Sequence, residues 1–239
     1  MTPGRLAALS LTVALLAGCG DDDDATPATT TTEATTTTTE PGTTTTQAPA
    51  CPPVSVPDAA EEVTEMDGDA DGDGTDDELR TYRVGDEWHL QVELAADGGS
   101  DLVLPSFGGG VGLVGGADVD GDGTDEVWAR TGSGASATIV GLARLVDCEL
   151  QRVTFATGGL AELPVGGSVG TSSGLECVAD GLTAFTATLT EGSTYEVVAT
   201  HYILDGTSLA ERGTESTTVE ATDDEFARYT SFGCGDLIL

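Results

Sequence analysis

The chain has no Lys and no Asn, and its 239 residues carry only 8 basic side chains, all of them Arg, against 42 Asp and Glu. A formal net charge of -34 excludes nucleic acid as a partner, because phosphate binding needs clustered positive charge. The missing lysines also exclude a lysine nucleophile or Schiff base. Aromatics are sparse at 5%, and His occurs twice. Membrane-spanning runs are lacking as well: the apolar stretch at residues 6–17 is too short for a bilayer core of about 30 Å, which takes roughly 20 residues. What remains is 38% hydrophobic residues and 33 Gly, enough for one modest, turn-rich domain.

Arg5 precedes that apolar stretch, and Gly18 and Cys19 follow it, which is the plan of an export signal. Leu16-Ala17-Gly18-Cys19 resembles the bacterial lipobox, whose Cys is lipidated and becomes the first residue of the mature chain. The resemblance implies a lipoprotein signal peptide at 1–18 and an exported chain anchored to the outer face of the bacterial cell membrane through Cys19. A signal cleaved near Ala17 with no lipid is the alternative. An anchor of several acyl chains is stable, since each buried CH2 contributes about 0.8 kcal/mol. Residues 21–24 are all Asp, and residues 25–50 hold fourteen Thr. No core forms from that composition, so 19–50 reads as a disordered stalk that holds the domain at 51–239 about 30 Å from the lipid.

Four further cysteines, Cys51, Cys148, Cys177 and Cys234, lie beyond the stalk, in a compartment that permits oxidation. Three pairings are possible. Cys51 with Cys148 and Cys177 with Cys234 is favoured, because it ties each half of the domain to its own beginning. Each bond would contribute about 4 kcal/mol. A metal-binding or catalytic Cys is the weaker alternative, since there is no C-x-x-C spacing.

The most specific feature occurs twice. Residues 69–77 read D-A-D-G-D-G-T-D-D and residues 118–126 read D-V-D-G-D-G-T-D-E. Carboxylates at alternate positions with Gly between them let a tight turn aim several oxygens at one centre, which suits Ca2+ with its six to eight oxygen ligands. The expected ligands are Asp69, Asp71, Asp73, the Thr75 carbonyl and Asp77 in the first loop, and Asp118, Asp120, Asp122, the Thr124 carbonyl and Glu126 in the second. Two calcium ions are expected. Asp76 and Asp125 are left to point outward or to brace the ligands. The alternation of Asp67, Asp69, Asp71 and Asp73 also permits a shifted first register, and Gly72 and Gly74 favour the one given.

An EF-hand needs Glu at the twelfth loop position and flanking helices. Arg80 and Ala129 stand there instead, and the flanks at 78–84, 111–114 and 126–130 read as strands. Loops that close at the ninth position between strands resemble the calcium loops of FG-GAP and VCBS repeats. Phe107-Gly108 and Gly134-Ala135 echo the two ends of that pattern, although its Pro is missing and the first repeat lacks the Phe-Gly. The resemblance covers about residues 63–135, and the chain as a whole also resembles uncharacterised bacterial lipoproteins that end near a Cys-Gly. It implies an all-β, antiparallel domain of propeller-blade-like repeats with calcium-binding hairpin loops, with a β-sandwich-like domain as the alternative.

Further short apolar or β-branched runs lie at 88–94, 101–104, 137–146, 150–155, 182–189, 195–204 and 216–221, separated by Asp-Gly and Glu-Gly turn signals. Helical period is confined to one turn at 222–229. Gly110, Gly112 and Gly115 match a dinucleotide motif but open no helix. Gly170-Thr171-Ser172-Ser173-Gly174 matches a nucleophile motif, yet residues 175–179 after it read as a strand, where a hydrolase needs a strand-to-helix turn. His89 and His201 read as ordinary strand residues. The expectation is a surface binding module for an extracellular protein or glycan, touching the membrane only through its lipid anchor. An extracellular hydrolase using Ser172 and His201 or a carboxylate pair, and a purely structural envelope component, are the alternatives.

Overall fold

The computed structural model describes residues 51–239; the expected signal peptide, Cys19 and the Thr-rich segment lie outside them. The strands are β1 (Glu61–Gly68), β2 (Asp77–Val84), β3 (Glu87–Glu93), β4 (Gly99–Leu104), β5 (Gly112–Ala117), β6 (Glu126–Ser133), β7 (Ala137–Val146) and β8 (Glu149–Arg152). They continue as β9 (Thr154–Phe155), β10 (Glu162–Ser168), β11 (Thr171–Val178), β12 (Gly181–Glu191), β13 (Thr194–Asp205), β14 (Ser208–Glu220) and β15 (Phe232–Gly233). One 3-10 helix, Asp224–Thr230, occupies the expected single turn. Among the described residues no helix is long and apolar enough to cross a membrane.

The domain is all-β, and its two sheets stay open among the described residues. Strands β1 to β4 form an antiparallel meander. In the larger sheet β5 to β8 repeat that order, each strand pairing with the next in sequence, before the path continues through β10 to β14. Two contacts are parallel, β11 with β15 and β14 with β9. The two acidic loops therefore occupy the same place, the first connection of a four-stranded meander.

Side chains that alternate across β6 are buried on both faces. Val127 and Ala129 pack with Leu79, Leu90 and Val92 of the smaller sheet. Trp128 turns the other way, against Val140, Leu142, Leu175 and Leu182. Each fully buried Leu or Val of this kind stabilises by about 1.5–3 kcal/mol. At the far end of β12 to β14 the 3-10 helix covers a third cluster, with Tyr229 on Phe185 at 5.1 Å between ring centroids.

Both disulfides adopt the favoured pairing, Cys51–Cys148 and Cys177–Cys234. The first pins the chain ahead of β1 to the β7–β8 hairpin, whose turn residues Asp147 and Cys148 have φ of 50° and 65°. Positive φ at both positions is what a two-residue type I′ turn requires.

Two sequence expectations need correction. The strand expected at 216–221 begins at Ser208, because β13 and β14 form one long hairpin across the Asp205–Ser208 turn. The run at 150–155 is split into β8 and β9. Three strands went unanticipated, the two-residue β15 among them. Strand β1 is exposed along almost its whole length, as suits a charged sheet edge. Strand β10 contains Pro164, which faces Ile139 on β7 at a position where β11 does not yet pair on the other side.

Candidate metal centre

The two loops repeat one conformation. Gly72 and Gly74 have φ of 74° and 84°, and Gly121 and Gly123, 49 positions on, have 78° and 89°. Their hydrogen bonds repeat too. Gly74 N donates to Asp69 Oδ2 at 2.9 Å and Gly123 N to Asp118 Oδ2 at 3.0 Å. Asp71 and Asp120 accept from the amides of Asp73 and Asp122, and Asp73 and Asp122 accept from those of Thr75 and Thr124. The closing carboxylates reach back across each loop, Asp77 Oδ2 to Ala70 N and Glu126 Oε2 to Val119 N, both at 2.9 Å. Each turn thus spends its amides on orienting its own carboxylates. Because a Cβ at Gly74 or Gly123 would meet no atom within 4 Å, Ala there adds only left-handed strain. Gly74→Ala and Gly123→Ala should each cost about 1–2 kcal/mol, equally, in thermal unfolding.

The arrangement brings oxygens of Asp69, Asp71 and Asp77 within 4.8 Å of one another, and likewise those of Asp118, Asp120 and Glu126. Those six were expected ligands. Asp73 and Asp122 stand outside the two groups, each capping the Thr amide two residues on. For Thr75 and Thr124 these amides supply the loop contacts. Asp67 belongs to β1, opposite Glu78, so the first loop keeps the register that starts at Asp69.

One oxygen in each group is buried and accepts no hydrogen bond: Asp69 Oδ1 in the first and Glu126 Oε1 in the second. Asp77 is 2% exposed and Glu126 is 0% exposed. Burial pushes the Glu126 carboxyl up to about 7, opposed by the Val119 amide and Arg144 and assisted by the charges of Asp120 and Asp122. Burial raises Asp77 as well, assisted by Asp71 and Asp73 and opposed by the amides of Ala95 and Ala70. Carboxylates crowded this way cost free energy unless a cation neutralises them.

The loops also touch each other. Asp69 N donates to Asp125 Oδ2 at 3.0 Å, and Asp125 N donates to Asp69 O at 2.8 Å. Gly68 and Gly116 make room for this carboxylate: a Cβ on Gly116 would stand 2.9 Å from Asp125 Oδ2. Asp125, left open between pointing outward and bracing, braces the first loop from the second. Its pKa is raised by burial, with Asp69, Asp118 and Asp76 contributing.

One participant was missed. Arg144 on β7 directs its guanidinium at the second loop, with Nη1 2.8 Å from Asp120 Oδ2, Nη2 on Asp122 Oδ2, and Nε 3.4 Å from Glu126 Oε1. Among the described residues no such Arg faces the first loop; Arg80 of β2 pairs instead with Glu65, Glu78 and Glu93. Alternation along β7 places Arg144 on the face of Leu142 but does not say which residue of β6 it meets.

Outside the loops, His89 Nδ1 lies 2.8 Å from Asp101 Oδ1 while the Tyr82 hydroxyl donates to Asp101 Oδ2 at 2.5 Å, and the two rings stack at 4.9 Å. His201 Nδ1 and Thr183 Oγ1 are 3.0 Å apart. Ser172 stands opposite Ala187 on β12 and His201 opposite Thr183, four positions along the same strand. That is about 13 Å along the strand, so the fold does not bring Ser172 and His201 together. No family model matches the chain, and neither a curated protein nor a solved structure matches it.

Proposed function

We propose that this is a membrane-anchored extracellular lipoprotein whose β domain is stabilised by two calcium ions and serves as a surface binding module for an extracellular protein or glycan. The observation that carries the calcium reading is the duplicated carboxylate cluster, each copy with a buried carboxylate oxygen that accepts no hydrogen bond. An oxygen-only set of clustered carboxylates fits a hard cation such as Ca2+. Asp69, Asp71 and Asp77 would hold one ion and Asp118, Asp120 and Glu126 the other, with the Thr75 and Thr124 carbonyls and water completing each shell. The role of the ion is structural, tying a loop of repelling acids to its strands.

The meanders β1–β4 and β5–β8, each with its loop between the first two strands, support the blade-like reading of the repeats. The two disulfides fit an exported domain. The binding role rests on analogy with repeat domains that present loops to partners. Calorimetric titration of the purified chain with calcium should give a stoichiometry of two. A stoichiometry of zero, one or three would overturn the assignment of the loops, and failure to recover any specific envelope component with calcium present would count against the binding module.

A further inference from the structure

The two loops match in backbone but differ in what faces them. Asp118 Oδ1 accepts from Gly121 N at 2.7 Å, whereas its counterpart Asp69 Oδ1 accepts nothing. The second loop also has the Arg144 guanidinium, 12% exposed, across three of its carboxylates. A guanidinium there satisfies part of the charge that a metal ion would satisfy. The second loop also opens onto a recess of about 540 Å3 whose wall includes Arg144, Asp147, Asp205 and Gly206. Arg144 Nη1 already lies 3.5 Å from Gly206 O. The side chain therefore has both acidic partners and space on the side away from the loop.

We infer that Arg144 is a resident counter-cation that competes with calcium at the second loop, so that the two loops fill in sequence, the first tightly and the second only as Arg144 turns away toward Asp147 and Asp205. The inference rests on the calcium reading above. Glu126 supplies the second reason to place an ion there, since it is fully buried and its Oε1 accepts no hydrogen bond, with only Arg144 Nε facing it at 3.4 Å. A unit positive charge about 5 Å from a divalent ion opposes its binding even in a watery dielectric, and removing it should strengthen the second site on the order of tenfold.

The test is calorimetric titration of the purified chain with calcium chloride, alongside Arg144→Gln, Asp120→Asn and Asp71→Asn. Wild type should show two classes of site, with the weaker lost in Asp120→Asn and the tighter lost in Asp71→Asn. Arg144→Gln should tighten the weaker class about tenfold and leave the tighter class unchanged. Its calcium-free unfolding midpoint should fall, because three carboxylates lose their counter-charge, and calcium should restore it. Arg212→Gln, at an exposed pair with Asp180, should move neither quantity. Two equal sites in wild type with no response to Arg144→Gln would overturn the inference and leave the calcium reading standing. Weaker second-site binding in Arg144→Gln would overturn it too, since Arg144 would then be orienting the ligands. No heat in any chain would overturn both.

Discussion

Chelation of calcium is expected to lower the unfolding midpoint of this protein by about 10 °C or more. A ligand at a hundred times its dissociation constant stabilises the native state by about 2.7 kcal/mol per site, so two sites in millimolar calcium amount to about 5 kcal/mol. A domain of this size shifts by about 2–4 °C per kcal/mol. The effect should be cooperative across the loops, since Asp125 of the second is hydrogen-bonded to both ends of Asp69 in the first. The measurement is a pair of thermal melts at moderate salt, one in millimolar calcium and one in excess EDTA. Equal midpoints would end the structural role for calcium, whatever the loops look like.

Much of this architecture could be read in the chain beforehand, for reasons that differ by element. The loops were legible because their chemistry is local: nine consecutive residues carry both the carboxylates and the glycines that the turn needs. The disulfide partners and most hairpins were legible from cysteine spacing and from Gly at the turns. Arg144 was not, and the obstacle is a single bulge. Ser133 pairs with Thr138 at the start of the β6–β7 hairpin, but a register shift between Arg130 and Gly132 leaves Val127 opposite Ala143. Carried one step further, that register sets Arg144 beside Glu126. Without the bulge the neighbour would be Leu145, and because strand side chains alternate, a slip of one residue moves a whole face. The Asp69–Asp125 contact was hidden differently. It joins residues 56 apart, in two connections that meet only because β1 and β5 lie side by side, a fact of tertiary packing that no local pattern records.

Glu126 should make calcium-free stability fall as pH rises, the reverse of an ordinary paired carboxylate. Its folded pKa lies near 7 while an unfolded Glu titrates near 4.5, so between those values the native state holds a proton that the unfolded chain has released. Stability then decreases with pH across that window, by at most on the order of 3 kcal/mol at 1.36 kcal/mol per unit. Asp77 and Asp125, also raised, act with the same sign. Melts in EDTA should therefore show a midpoint that drops from about pH 5 to pH 8, and Glu126→Gln should flatten that slope. The amide keeps an oxygen for the Val119 amide without carrying a charge into a fully buried position, so at pH 8 without calcium the variant should be the more stable protein. In millimolar calcium the order should invert, because Gln offers the second loop one negative charge fewer. If Glu126→Gln is destabilising in both conditions, the carboxylate is held by Arg144 as a permanent ion pair and the second loop has no call on a metal.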